Sequence, residues 1–279
     1  MNDKKMRKGR RLFKKAGAVL LAAILCAGVL NGCGKSGEKQ EKKQTEVIVF
    51  AAASMTETLE QIAAEYQKLH PEIRIIFNFD SSGTLKTQIE EGAACDLFIS
   101  AAPKQMNQLE ESGLVKAGTR IDLLENKVVL AISEQSSAQI TSFDELAAHL
   151  KSGDILFVMG NEDVPVGQYT QKILQYYGID EKQTADKGII SYAGNVKEVT
   201  TQITEGLADC GVIYQTDAYS AGLAVTDTAT EEMCGRVIYP AAVLENAVSG
   251  KEAGAFLTYL TGDTSRNIFE SVGFTALTE

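Results

Sequence analysis

The stretch VFAAASMTETLE (49–60) passes from a strand pattern to a helix pattern within a few residues. EVIVF (46–50), which overlaps it, is continuously apolar after its first residue, as a strand covered on both faces is. Behind it Met55, Leu59, Ile62, Tyr66 and Leu69 recur at helical spacing. Ser54 with Glu57 three residues on has the form of a capping box, which predicts a helix opening at Ser54. His70-Pro71 ends that helix, because a proline disfavours the helical region for the residue before it. The junction itself carries no Lys, Arg, His or Cys. It is three alanines and a hydroxyl.

The same passage from strand to helix repeats along the chain. IRIIFNF (73–79) alternates as a strand and SSGTLKTQIEEG (81–92) turns into a short helix closed by Gly92. CDLFIS (95–100) precedes a helix with Pro103 near its first position and Gly113 past its end. KVVLAIS (127–133) and DILFVMG (154–160) read as strands, with a second capping box, Ser142 and Glu145, between them. VPVGQYTQKILQYYG (164–178) is a helix; GIISYAG (188–194) and NVKEVTTQITEG (195–206) form a further pair; CGVIY (210–214) and RVIYPAAVL (236–244) are strands. Helices near 250–261 and 265–272 close the chain. Apolar strands alternating with amphipathic helices predict an α/β fold with parallel sheets. About ten strands are too many for one compact sheet of this length, so two α/β lobes are expected. In such sheets ligands lie beyond the carboxyl ends of the strands. VFAAAS, FDSSG, FISAA, VPVG, GNV and GVIYQ all lie at such ends.

The N-terminal segment has a different character. Residues 1–15 hold eight Lys/Arg and one Asp, and 16–30 is an unbroken run of fifteen apolar residues. That run is short for a bilayer span, which takes about 20 residues. A basic segment followed by such a run reads as an export signal over 1–32. LNGCG (30–34) resembles the lipobox of bacterial lipoproteins, which implies acylation of Cys33 and a lipid anchor on the extracytoplasmic face of the cell membrane. GKSGEKQEKKQT (34–45) then completes a flexible tether over 33–45. Removing the signal removes a net charge of +7, so the chain goes from −10 to −17. Such a balance lacks the basic footprint of a nucleic-acid binder. Cys95, Cys210 and Cys234 match no zinc spacing and read as buried apolar thiols.

Helix first turns offer unpaired N–H groups and the positive end of a dipole, which together suit an anion without any charged side chain. A serine at the cap adds a hydroxyl donor. Each junction alone is only a helix cap; several meeting in one cleft would replace the hydration shell of a small oxyanion.

Taken together, VFAAASMTETLEQIA (49–63), FDSSGTLKTQIEEGAACDLFISA (79–101), GNEDVPVGQY (160–169), GNVKEV (194–199), GVIYQTDA (211–218) and YPAAV (239–243) resemble the molybdate-binding proteins of bacterial ABC importers. The resemblance runs from about 47 to 274. It implies the type II periplasmic-binding fold, two lobes with a ligand cleft between them. The first lobe would be discontinuous, 46–126 plus 238–279, and the second would be 127–237. By resemblance the oxyanion is held by the hydroxyls of Ser54, Ser82 and Tyr214 and by the amides of Ala101, Val166 and Val196. Molybdenum or tungsten would then be held as its oxyanion, with no side chain on the metal and no cofactor. The implied partner is the membrane permease, and a monomer is expected. Gly83, Glu162, Cys95 and Val166 depart from the family pattern; Gly83 is expected to loosen its turn.

A site of donors suits a fully ionised dianion, whereas phosphate carries a proton that seeks an acceptor. Asp80 and Asp163 flank the motifs and would weaken this if either turned inward. Sulfate is an alternative ligand on the same grounds. A secreted hydrolase with Ser54 or Ser82 as nucleophile is the other class. It lacks a G-x-S-x-G elbow, and the two histidines, His70 and His149, fall outside the motifs. An amino-acid binder would offer an Arg for the carboxylate, and none stands in the motifs.

Overall fold

The computed structural model describes residues 44–277. The expected signal peptide, Cys33 and the tether up to residue 43 lie outside them. The strands and helices in chain order are β1 (Thr45–Ala52), α1 (Thr56–Leu69), β2 (Ile73–Asp80), α2 (Ser82–Glu90), β3 (Leu97–Ile99), α3 (Pro103–Glu111) and β4 (Ile121–Asn126). The chain then enters β5 (Val128–Ile132), α4 (Phe143–Ser152), β6 (Phe157–Gly160), α5 (Pro165–Tyr176) and α6 (Glu181–Asp186). There follow β7 (Ile190–Ala193), α7 (Val196–Thr204), β8 (Cys210–Tyr214), α8 (Gln215–Ala221), β9 (Ala224–Thr228) and α9 (Glu231–Cys234). It closes with β10 (Val237–Val243), α10 (Gly250–Leu260), α11 (Asp263–Ser271) and β11 (Thr275–Ala276).

Two sheets form. The first has six strands in the order β11-β4-β10-β3-β1-β2 and the second five in the order β7-β6-β8-β5-β9. The expectation of parallel sheets holds only in part. β1 runs parallel to β2 and β3, and β6 parallel to β7 and β8. β10 is antiparallel to β3 and β4, and β5 is antiparallel to β8 and β9. Each antiparallel set holds a strand by which the chain enters or re-enters a sheet from the other one. The sequence reading did not foresee the short helices α6, α8 and α9 or the strands β4, β9 and β11. IDLLEN forms β4, and AVTDT forms β9 on the edge of the second sheet, where its polar alternation hides it.

The chain passes between the sheets at Asn126–Lys127–Val128 and again through Gly235–Arg236–Val237. The two passages lie side by side: Val237 pairs with Asn126, and the Arg236 guanidinium forks onto the Glu125 carboxylate at 3.1 and 2.6 Å. The register of β4 against β10 slips between Tyr239 and Pro240, leaving Leu123 as the extra residue. Pro240 has no N–H to give to the ladder, so the bulge falls there.

The apolar core is continuous across both lobes, with Ala52 and Ala53 in one cluster with Val164, Val166 and Val196. A smaller cluster of Phe50, Leu85, Phe98 and Met106 lies under α2 and α3. Cys95, Cys210 and Cys234 are buried free thiols, as expected. Burial pushes the Cys95 thiol up to about 12, so it stays protonated and inert.

Candidate functional site

Ser54 does not cap a helix. Ala53–Met55 forms a single 3-10 turn, α1 begins at Thr56, and no side chain caps either. The capping-box expectation is therefore corrected. Ser54 Oγ instead lies 2.9 Å from Tyr239 Oη, a partner 185 residues away in β10. A hydroxyl spent on a cap would have faced its own helix; this one is free to serve another purpose.

α2 is capped by the preceding residue. Ser81 accepts from Thr84 N at 3.1 Å, which leaves the Ser82 hydroxyl uncommitted to the helix. Ser82 Oγ accepts from the Ala101 N–H at 2.9 Å. This changes the role expected of Ala101, whose amide is engaged by the serine and is not a free donor. It fills a Ser82 lone pair from behind, so the Ser82 proton is left to point outward.

The second lobe brings two helix starts to the same place. Pro165 opens α5, with Val166 in its first turn, and Val196 opens α7 behind an Asn195 cap. First-turn amides have no intrahelical acceptor. Only the N–H is needed at Val166, whose side chain is wholly buried in the core. Tyr214 ends β8 and is wholly buried, yet its hydroxyl has no hydrogen-bond partner among the described residues. Burial, with the neighbouring Tyr239 phenol, pushes its pKa well above the ordinary value, so it remains a donor at any physiological pH.

These groups meet. Ser54, Ser82, Ala101, Val166, Val196 and Tyr214 all line one small cavity. Ala52, Ala53, Asp80, Ser81, Val164 and Pro165 complete it, and no cationic side chain is among them. Asp80 reaches the wall, but its Oδ1 is held by the Ser81 N–H at 2.7 Å. Asp163 is exposed and outside the lining. A larger, open groove of about 770 Å³ runs between α3 and α5, lined by Lys104, Lys172 and Arg236 among others. It lacks the convergent buried donors of the small cavity.

Gly83 departs from its expectation too. Its N–H donates to the Asp163 carbonyl at 3.1 Å, joining α2 to the loop before α5 across the cleft. A Cβ there would lie 2.1 Å from that carbonyl oxygen. The glycine therefore permits a close approach of the lobes. Elsewhere, Lys197 of α7 holds the Glu57 carboxylate of α1 at 2.8 Å. The same ammonium stands 3.6 Å from Asp217, too far for a hydrogen bond. Asp217 is fully buried, and burial raises its pKa to about 7 against the opposing pull of Lys197.

His70 caps the far end of α1, a helix of 14 residues, so it stands about 21 Å along the axis from the Ser54 end. His149 pairs with Asp154 on α4. Neither lines the cavity, so no imidazole stands beside either serine. Sequence reasoning missed Tyr239, Asn126 and Thr216, which hydrogen-bond in a chain behind Ser54. The only signal was YPAAV, a strand with a tyrosine before a proline.

A family model described as bacterial extracellular solute-binding protein matches residues 47–275. The ABC transporter substrate-binding lipoprotein YvgL of Bacillus subtilis is 34% identical over 269 residues, 95% of this chain and 100% of its own. The molybdate-binding protein ModA of Haemophilus influenzae is 32% identical, covering 92% of this chain and 98% of its own. In three dimensions the periplasmic molybdate-binding protein of Azotobacter vinelandii superposes with a TM-score of 0.71 at 22% identity, over 82% of this chain and 98% of its own. That likeness shows the two-lobed fold.

Proposed function

The chain belongs to the bacterial extracellular solute-binding proteins of ABC transporters, and we propose that it captures molybdate or tungstate and hands the oxyanion to a membrane permease. One observation carries this reading. A buried Tyr214 hydroxyl, without a partner among the described residues, faces a cavity lined by two serine hydroxyls and the first turns of two helices, and none of the described lining residues is a cation. A buried polar group left unpaired costs about 1–3 kcal/mol. An oxyanion would satisfy it together with the other donors.

The donor set favours an anion without a proton. Molybdate, tungstate and sulfate fit that description; hydrogenphosphate would turn its proton onto donors. The overall negative charge repels a dianion at long range, so affinity comes from local dipoles in an enclosed site. The lobes would close on the ligand about the two side-by-side passages, a hinge motion. We assign the anchor to acylated Cys33, on the lipobox and on the likeness to a lipoprotein. No helix of the described residues is long and apolar enough to cross a membrane.

Thermal unfolding tests the reading. At an anion concentration 100-fold above Kd the stabilisation is about 2.7 kcal/mol, or roughly 5–10 °C for a domain of this size. Molybdate and tungstate are expected to raise Tm and hydrogenphosphate is not. No rise with molybdate, tungstate or sulfate removes the oxyanion assignment. Turnover of ester or phosphoester substrates would replace it with a hydrolase.

A further inference from the structure

Behind Ser54 lies a chain of buried hydrogen bonds whose direction is fixed from one end. The Lys127 N–H lies 2.8 Å from Asn126 Oδ1. A backbone N–H only donates, so the atom facing it is the amide oxygen, and the Asn126 Nδ2 group must face the other way. It does: Nδ2 lies 3.0 Å from Thr216 Oγ1 and 3.3 Å from Tyr239 Oη. Both of its hydrogens are thereby placed. Tyr239 Oη accepts from Asn126, and its own proton needs an acceptor. Tyr239 is 0% exposed; its ring also meets Tyr214 edge-on, but among the described residues only Ser54 Oγ stands within hydrogen-bond distance of its hydroxyl as an acceptor. The phenol therefore donates to Ser54 at 2.9 Å. With a lone pair filled from behind, the Ser54 hydroxyl turns its proton into the cavity. Ala101 N–H does the same for Ser82 on the neighbouring wall.

We propose that Tyr239, oriented by Asn126, is a positioning residue that points the Ser54 proton at the ligand and so makes the site select oxyanions without a proton over those that carry one. This rests on the oxyanion reading above. Neither Tyr239 nor Asn126 lines the cavity, so they act on the ligand through the lining residues Tyr239 touches, Ser54 by a hydrogen bond and Tyr214 by an edge-on ring contact, and the Ser54→Ala background separates the two routes. The relay also begins at a passage between the lobes, Asn126–Lys127, and receives Thr216 from α8. The direction of the Ser54 proton is thus set where the two lobes join.

The test is competition calorimetry between molybdate and hydrogenphosphate at mildly alkaline pH, where both carry two negative charges. Wild type, Tyr239→Phe, Asn126→Asp, Ser54→Ala and the double variant Ser54→Ala/Tyr239→Phe are compared. Tyr239→Phe frees the Ser54 hydroxyl to turn, and the molybdate preference is expected to fall about fivefold. Asn126→Asp keeps an acceptor for Lys127 N–H but presents an oxygen to Tyr239. The phenol then donates backward, Ser54 donates to it, and a lone pair faces the ligand. The preference is expected to fall about tenfold or more. The added charge acts equally on two dianions and cancels in the ratio. On the Ser54→Ala background, Tyr239→Phe is expected to change the ratio no further. If wild type binds molybdate and both relay variants keep its preference, the relay is wrong while the oxyanion reading stands. An equal effect of Tyr239→Phe with and without Ser54 likewise overturns it. If wild type binds neither anion, both fall. The two variants act from opposite ends of the relay, so a folding defect in one leaves the other as the test.

Discussion

Gly83→Ala separates closure of the cleft from stability of the lobe. The new Cβ would sit 2.1 Å from the Asp163 carbonyl oxygen, whereas real Cβ contacts essentially never fall under 3.0 Å. The lobes must move apart by about 0.9 Å at this point, the difference between those two distances. Hydrogen bonds from the second lobe to a ligand seated on the first would stretch from about 2.9 to about 3.8 Å, beyond useful range. Each such bond to a charged group is worth about 1.5–3 kcal/mol. Losing only one of those from Val166, Val196 and Tyr214 weakens molybdate binding at least about tenfold. The change also removes the Gly83–Asp163 hydrogen bond. Within α2 alone the substitution acts the other way, because alanine is the better helix former by about 0.5–1 kcal/mol. The expected signature is a ligand-free Tm unchanged or higher, with calorimetric affinity down at least about tenfold. Wild-type affinity in Gly83→Ala would refute the claim that this contact governs closure.

Ser54→Ala and Ser82→Ala each remove a hydroxyl donor to a charged ligand, about 1.5–3 kcal/mol or roughly 10- to 150-fold in calorimetric Kd; wild-type affinity in both would move the site elsewhere. Tyr214→Phe should weaken molybdate similarly, while raising the ligand-free Tm because it deletes an unpaired buried hydroxyl. Lys197→Ala breaks an inter-lobe pair whose carboxylate, on Glu57, is 57% exposed, so affinity should fall by less than about fivefold, and by less still in high salt. Asp217 gives a pH signature. Its folded pKa of about 7 lies above the unfolded value near 3.8, so the native state holds the proton more tightly. Stability from this group is full below the unfolded value and is lost as pH rises through about 7, up to about 4 kcal/mol. Asp217→Asn should flatten that decline and raise Tm at mildly alkaline pH; an unchanged Tm–pH profile would show that Asp217 ionises without cost.

Much of this was legible in the chain because the fold writes its binding loops into short local patterns. Pro165 at the start of α5, Gly113 after α3 and the Ser142 cap of α4 are local devices and fell where expected. VFAAAS, DSSG, VPVG and GNV mark strand ends that do converge on one cavity. What failed was non-local. Ser54 and Glu57 have capping-box spacing, yet a hydroxyl from β10 takes the serine and the helix starts later. Antiparallel pairing of β5 and β10 depends on where the chain crosses between sheets, which strand composition does not encode. The value of Gly83 lies in a carbonyl 80 residues away, the direction of the Ser54 proton in Lys127, and neither leaves a mark on its own neighbourhood.

Crystals grown with sodium tungstate, read by the anomalous scattering of the metal, test the central claim most directly. One dominant peak is expected in the small cavity, with oxygen atoms within hydrogen-bond reach of Ser54, Ser82, Val166, Val196 and Tyr214. A dominant peak in the open groove beside Lys104 and Lys172, or none in the cavity at saturating tungstate, would contradict it.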